Sequence, residues 1–325
     1  MIAAMGQCLA GLIVLILGAE LLTRGGAVLA RQLGVPPIII GLTVVAVGTS
    51  APELAVGIDA ALMGNGAMAV GNIAGTNTVN VLLILGLSAA IHPLALRART
   101  IRMDLPVIVA AAAMVLGMAL DGTLSRRDGM LLVACGVVYT ATVIWSALHE
   151  SRAVRVEFAR EFRGPKGAAP GTRTTALAAM MLAAGIAVVV AGADVFVDGA
   201  VSLARIWGVS DTFIGLTVVA IGTSAPEFVT TILSTLRRER DIAIGNLLGS
   251  SVYNIFLILG VTCLVPAAGL PVSAELLRVD LPVMVLVALA CVPAFLSRQE
   301  VSRLEGTLFV AAYGAYLSYL LVMRA

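Results

Sequence analysis

Residues 41–55 read GLTVVAVGTSAPELA, and residues 215–229 read GLTVVAIGTSAPEFV, so 12 of 15 positions are identical at an offset of 174 residues. The same offset aligns GNIAGTNTVNVLLILG, residues 71–86, with GNLLGSSVYNIFLILG, residues 245–260, where 8 of 16 positions are identical. Gapless matches of this length indicate an internal duplication. Each half of the chain therefore carries the same pair of blocks.

The composition around these blocks is that of an integral membrane protein. Of the 325 residues, 60% are hydrophobic and only 12% are charged, and the mean hydropathy is +1.03. A soluble domain carries about 25% charged residues. This deficit excludes a soluble enzyme, a disordered chain and a nucleic-acid-binding protein, and it makes the lipid bilayer the main partner. The four cysteines lack CxxC spacing, which argues against a zinc site or a disulfide framework.

Ten apolar segments are long enough to cross a bilayer, which takes about 20 residues. We predict an all-α membrane protein with ten transmembrane helices in two inverted five-helix repeats. The first repeat occupies residues 1–148, a polar linker occupies 149–174, and the second repeat occupies 175–325. The predicted spans are 7–33, 36–62, 67–91, 104–121, 126–148, 175–207, 211–237, 242–267, 280–297 and 302–323.

The second copy must enter the membrane from the opposite side, because five spans is an odd number. Inverted repeats are characteristic of secondary transporters, although a channel can also contain them. With the N-terminus outside, 16 of the 21 Lys and Arg residues fall on the cytoplasmic side. The positive-inside rule therefore predicts that both termini lie outside and that the linker is cytoplasmic. We expect the protein to lie in the plasma (inner) membrane.

Each GTSAPE run places an acid in the middle of an apolar span. Glu53 lies four residues after Thr49, and Glu227 lies four residues after Thr223, so each pair shares one helix face. The proline of each run removes a backbone donor and frees a carbonyl oxygen. Acids in the middle of a span are functional by default, so these two glutamates are the first candidates for an ion site.

The second pair of blocks adds neutral oxygen ligands. Thr76 and Asn80 are four residues apart, and Ser250 and Asn254 repeat that spacing. Calcium takes six to eight oxygen ligands, and the absence of thiolate and imidazole from the blocks disfavours zinc and copper. Two ionised glutamates carry a charge of −2, which one calcium ion or two sodium ions neutralise. That equivalence is a physical basis for exchanging the two ions.

The paired blocks resemble the two alpha repeats of the calcium/cation antiporter superfamily, in its prokaryotic sodium/calcium exchanger branch. The resemblance implies a ten-helix inverted-repeat fold, sodium-driven calcium exchange by alternating access, and spans one and six as a mobile pair. Calcium and sodium are then the transported ions, with no cofactor and no obligate protein partner. It implies calcium ligands at Glu53, Glu227, Thr49 and Thr223 and at the carbonyls near Ala46 and Ala220. It also implies flanking sodium sites at Thr76 and Ser250, with Asn80 and Asn254 near the centre.

Three other functions fit parts of the pattern. A proton/calcium antiporter is possible because glutamates also carry protons, but the Thr, Ser and Asn flanks favour sodium. A passive cation channel is compatible with the inverted repeat. An intramembrane enzyme is disfavoured because no nucleophile or metal motif accompanies the acids. The neutral Asn254, where some relatives carry aspartate, argues against potassium co-transport.

Overall fold

The computed structural model describes residues 1–33, 37–96, 100–148, 172–206 and 220–324, and these ranges are mostly helical. The helices are α1 Ile2–Leu33, α2 residues 37–49, α3 Ala51–Leu62, α4 Gly66–Ile91, α5 Ile101–Asp121, α6 Arg126–Leu148, α7 Thr172–Ile206, α8 Ala220–Thr223, α9 Ala225–Leu236, α10 Arg240–Leu264, α11 residues 276–298 and α12 Arg303–Arg324. Within them, Gly41–Val45, Val79–Leu85 and Asn254–Leu259 are π-helical.

Eight of these helices are long and apolar enough to cross a membrane, and the bent pair α2–α3 makes a ninth candidate. The two halves of that pair meet at 47°, so the span predicted at 36–62 is broken rather than continuous. The span predicted at 211–237 falls within the described residues only from residue 220, and the linker predicted at 149–174 lies outside them up to residue 171.

Helices α1 and α7 form an antiparallel pair whose backbones touch at glycines. A Cβ atom added at Gly18 would lie 2.6 Å from the backbone nitrogen of Val189, and one added at Gly192 would lie 2.7 Å from that of Leu15. Such close approach is open only to glycine. The glycines recur every seven residues on both helices, at Gly11, Gly18 and Gly25 of α1 and at Gly185, Gly192 and Gly199 of α7.

The α1–α7 pair is packed separately from the main core. The largest buried apolar cluster draws its buried residues from 39–143 and 244–313, and it takes none from α1 or α7. Two small clusters hold the pair together and against its neighbours. One of them joins Leu15 and Val189 to Ala225 at the start of α9. The pair is thus a two-helix unit beside a larger body.

Four two-residue strands connect the first half of the chain to the second. β1, Leu94–Ala95, pairs antiparallel with β4, Glu300–Val301, and β2, Thr123–Leu124, pairs antiparallel with β3, Leu270–Pro271. By position in the duplication, β1 corresponds to β3 and β2 corresponds to β4. The pairing of β2 with β3 is therefore the equivalent of the pairing of β4 with β1, with the two halves of the chain exchanged.

Candidate ion-binding site

The site begins at two helix breaks. Ser50 separates α2 from α3 with φ −84° and ψ 12°, and Ser224 separates α8 from α9 with φ −79° and ψ 2°. A proline follows in the first turn of each new helix, where its missing N–H costs nothing. Glu53 and Glu227 thereby stand in the first turn of a 12-residue helix. A helix N-terminus favours negative charge, which offsets part of the cost of burying the carboxylates.

Both glutamates are completely buried, at 0% exposure, and they lie close enough for their charges to interact. Oε1 of Glu227 accepts hydrogen bonds from the hydroxyls of Ser50, at 3.1 Å, and Ser250, at 3.3 Å. The Thr223 hydroxyl faces the Glu53 carboxylate. Within the described residues, both oxygens of Glu53 and Oε2 of Glu227 lack a well-formed hydrogen bond. The fold thus concentrates carboxylate oxygens with unused acceptor capacity.

On one side of the carboxylates, α2 and α10 bring three predicted residues together. The Thr49 hydroxyl lies 3.4 Å from that of Ser250, and the Ala46 carbonyl oxygen, 3.4 Å from the Ser250 hydroxyl, is an alternative to Glu227 as the acceptor of its hydrogen. Gly249 permits this contact, because a Cβ atom there would lie 2.7 Å from the Ala46 Cβ. Thr49 also donates to Oδ1 of Asn246 at 3.1 Å.

Equivalent contacts, with the two halves of the chain exchanged, join α8 and the following break to α4. The Thr223 hydroxyl donates to Oδ1 of Asn72 at 3.5 Å, and the Ser224 hydroxyl donates to that of Thr76 at 3.4 Å. Ala220 is the first described residue of α8, one turn before Thr223. The contacts of Thr223 with Asn72 repeat those of Thr49 with Asn246 at the offset of 174 residues.

Asn80 and Asn254 stand where α4 and α10 change from α-helical to π-helical winding. Such π segments occur frequently at functional sites. Both side chains are fully buried, and neither amide group has a hydrogen-bond partner among the residues that the structure describes. A buried polar group without a partner costs about 1–3 kcal/mol, so these amides are available to an ion.

Four residues at this site were missed by the sequence reasoning: Ser50, Ser224, Asn72 and Asn246. The serines were missed because the four-residue spacing assumes a continuous helix, whereas the helix break brings Ser50 to Glu227 and Ser224 to Thr76. The asparagines could have been predicted from their spacing, because Asn72 lies one turn before Thr76 and Asn246 lies one turn before Ser250. Extending the predicted face by one turn would have included both of them.

An ion pair links the glycine-packed helices to the end of α9. Glu20 of α1 forms salt bridges with Arg24, one turn later, and with Arg237. Nearby, the Thr23 hydroxyl lies 3.2 Å from the Ser234 hydroxyl. These polar contacts tie α1 to the helix that carries Glu227.

The donor set fits a hard cation. In the described part of the chain, no three His, Cys, Asp or Glu residues come together as a metal cluster, so two carboxylates supply the charge and hydroxyl, amide and carbonyl oxygens supply the rest. Oxygen ligands of this kind suit calcium rather than the soft transition metals.

Comparison with known proteins places the chain among transporters. Residues 3–145 and 177–322 match the sodium/calcium exchanger protein family. The putative antiporter CaxA of Alkalimonas amylolytica is 34% identical over 318 residues, covering 96% of this chain and 97% of CaxA. The sodium/calcium exchanger MaX1 of Methanosarcina acetivorans is 30% identical, covering 95% of this chain and 96% of MaX1.

A solved structure supports the same relationship. The sodium-calcium exchanger NCX_Mj, soaked with Na⁺ and Sr²⁺, superposes with a TM-score of 0.82 at 29% identity, and the match covers 98% of each chain. The chain is a multi-pass membrane protein. With the family match spanning nearly all of both halves, the chain belongs to the sodium/calcium exchanger protein family.

Proposed function

We propose that the protein is a secondary antiporter that exchanges sodium for calcium across the membrane by alternating access. One observation carries this proposal: two fully buried carboxylates, one from each half of the chain, lie among hydroxyl and amide oxygens. Several acceptors there lack hydrogen bonds to any residue that the structure describes. The names of MaX1 and NCX_Mj support sodium and calcium as the ions.

Charge balance couples the two fluxes. With both glutamates ionised, the pocket carries a charge of −2 in a medium where an uncompensated charge is costly. One calcium ion or two sodium ions cancel that charge. The closed state that separates the two sides of the membrane is therefore accessible with either ion bound and strongly disfavoured with an ionised, empty pocket.

The proposed ligands follow the contacts at the helix breaks. Calcium is held by the carboxylates of Glu53 and Glu227 and by the hydroxyls of Thr49 and Thr223, with the carbonyls of Ala46 and Ala220 completing the shell. Sodium binds beside this position, where the side-chain oxygens come from Thr76, Ser250, Asn80 and Asn254. The Ser250 hydroxyl lies within hydrogen-bonding distance of both Glu227 and Ala46, which supports a boundary shared by the calcium and sodium sites.

The proposed fold has ten spans in two inverted five-helix repeats, with both termini outside and residues 149–174 cytoplasmic. The exchanged strand pairings and the matched breaks at Ser50 and Ser224 support the inversion. The separate packing of α1 and α7 supports their movement as one unit against the rest. An inner-membrane location is supported by the inner membrane protein YrbG of Escherichia coli, which is 34% identical over 267 residues.

This topology is tested by labelling single cysteines in a cysteine-free variant. Ser151→Cys, in the linker, is expected to react with an impermeant maleimide only from the cytoplasmic side, and Ser273→Cys only from the outside. Labelling of both positions from the same side would contradict the inverted arrangement.

A proton/calcium antiporter is the second candidate. Buried carboxylate oxygens without hydrogen bonds can hold protons as well as metal ions, and the name of the relative CaxA specifies an antiporter without naming sodium. The two candidates differ in which gradient drives calcium.

The deciding experiment uses purified protein in sealed vesicles with the membrane potential clamped. We expect calcium uptake when sodium is inside and absent outside, and no uptake at equal sodium. Calcium uptake that is independent of sodium but is driven by an imposed pH gradient would favour proton exchange. Calcium uptake without a sodium or pH gradient would favour a channel. Asp59→Asn, which alters an exposed acid on the same helix as Glu53, serves as the control and is expected to transport normally.

A further inference from the structure

Two buried asparagines contact the threonines of the proposed calcium site without being assigned to any ion. Asn246 of α10 accepts a hydrogen bond from the Thr49 hydroxyl at 3.1 Å, and Asn72 of α4 accepts one from Thr223 at 3.5 Å. Asn246 is fully buried and Asn72 is 7% exposed. Each contact joins one half of the chain to the other.

We propose that Asn246 is a positioning residue that orients the Thr49 hydroxyl toward the ion, and that Asn72 orients Thr223 less firmly. The inference rests on the proposed function, since it takes the Thr49 oxygen as a calcium ligand. A hydroxyl has one hydrogen and two acceptor lone pairs. It binds a cation only when the hydrogen points elsewhere, and Oδ1 of Asn246 takes that hydrogen.

The orientation of Asn246 is itself fixed. Its Nδ2 donates to the Thr231 hydroxyl at 3.2 Å, so the amide oxygen is turned toward Thr49. Without Asn246, the other acceptors near the Thr49 hydrogen are the Glu227 carboxylate and, both at 3.4 Å, the Ala46 carbonyl and the Ser250 hydroxyl. In each case an oxygen of the proposed site would accept the hydrogen bond from Thr49 instead of binding the ion.

Asn72 lacks the contact that fixes Asn246. The position equivalent to Thr231 is Gly57, which has no hydroxyl, and a Cβ atom there would lie 2.8 Å from Oγ1 of Thr262. Nδ2 of Asn72 has no hydrogen-bond partner among the described residues. The Thr49 side of the site is thus held in place before the ion arrives, whereas the Thr223 side is left adjustable.

A double-mutant cycle tests this coupling. Calcium binding to the purified full-length protein in sodium-free detergent solution is measured by titration calorimetry for the wild type, Asn246→Ala, Thr49→Ala and the double variant. We expect Asn246→Ala to weaken binding about tenfold, as for loss of a hydrogen bond to a group that contacts a charge. In the Thr49→Ala background it should change binding less than twofold, since the two residues act as one unit. Asn72→Ala should weaken binding about twofold.

Two further variants separate positioning from general damage. Asn77→Ala removes a buried asparagine of α4 whose amide donates, within the described ranges, to the Ile73 carbonyl one turn earlier, and it is expected to bind calcium normally. Thr231→Val removes the hydroxyl that accepts a hydrogen bond from Nδ2 of Asn246 while keeping the shape of the side chain, so it should weaken calcium binding. If Asn246→Ala fails to fold, Thr231→Val tests the positioning role of Asn246 in its place.

The proposal is overturned if the effects of Asn246→Ala and Thr49→Ala add in the double variant, or if Thr231→Val and Asn246→Ala bind calcium like the wild type. Equal weakening by Asn77→Ala would also overturn it. A wild type that binds no calcium contradicts both this inference and the proposed function. Calcium binding with the predicted cycle, but without sodium-coupled flux in vesicles, contradicts the sodium coupling alone.

Discussion

At the scale of single residues, the chemistry depends on two acids and the groups around them. The repeat and the rarity of mid-span acids were enough to predict Glu53 and Glu227 as candidates. The neighbouring hydroxyls were harder to predict, because Ser50 bonds to Glu227 only through a break that rotates it off the expected helix face. Contacts between the two halves require knowledge of how the helices meet, and spacing along one helix does not contain it.

Replacing a buried acid should raise stability in the absence of ions. In chelator-treated solution at pH 7, Glu53→Gln removes a fully buried acid that is costly to ionise without a bound ion and whose oxygens lack well-formed hydrogen bonds among the described residues. We expect the free energy of unfolding to rise by about 1–3 kcal/mol. We also expect the stabilisation that calcium gives the wild type to disappear, because ligand-linked stability requires binding to the folded state.

Thermal unfolding with and without calcium measures both effects. Asp59→Asn, which alters an exposed acid, should change the free energy of unfolding by less than about 0.5 kcal/mol. A Glu53→Gln protein that is less stable without ions and is still stabilised by calcium would contradict the role given to this carboxylate.

At the scale of elements, hydropathy located most helices to within a few residues of their observed ends. It did not predict the 47° bend between α2 and α3, because both sides of the bend are equally apolar and only the GTSAPE run marks it. The strands were not predictable either, since two residues are too few to show an alternating pattern. Their pairing depends on loops that meet only after the helices have packed.

The glycine contacts between α1 and α7 predict that the effect of a Gly→Ala substitution on the free energy of unfolding depends on its position in the helix. Gly18→Ala would place a Cβ atom 2.6 Å from the Val189 backbone nitrogen, and backbone cannot move aside cheaply. We expect it to lower the free energy of unfolding by about 1–3 kcal/mol.

Gly6→Ala is the matched control on the same helix, because no atom of the described residues lies within 4 Å of its added methyl group. It should be neutral or stabilising by up to about 1 kcal/mol, since alanine favours helix over glycine. Melting temperatures of the two variants compare these effects directly. Equal values for both would refute close packing of the helix pair at Gly18.

At the scale of the whole molecule, composition and charge placement predicted a multi-pass membrane protein with a duplicated sequence. They did not predict that α1 and α7 pack apart from the main core. Residues that face lipid and residues that face other helices are equally apolar, so hydropathy does not distinguish a separately packed helix pair from the main core. The glycine repeat at seven-residue intervals was the available signal for that pair.

The central claim is that sodium and calcium compete for one pocket built on Glu53 and Glu227. Calcium binding to the purified protein, measured over a series of sodium concentrations at constant pH and ionic strength, tests this claim most directly. The account predicts that sodium raises the apparent Kd for calcium with a slope steeper than that for one competing ion, because at least two sodium ions are needed to balance the two carboxylates. A calcium Kd that does not change with sodium would contradict it.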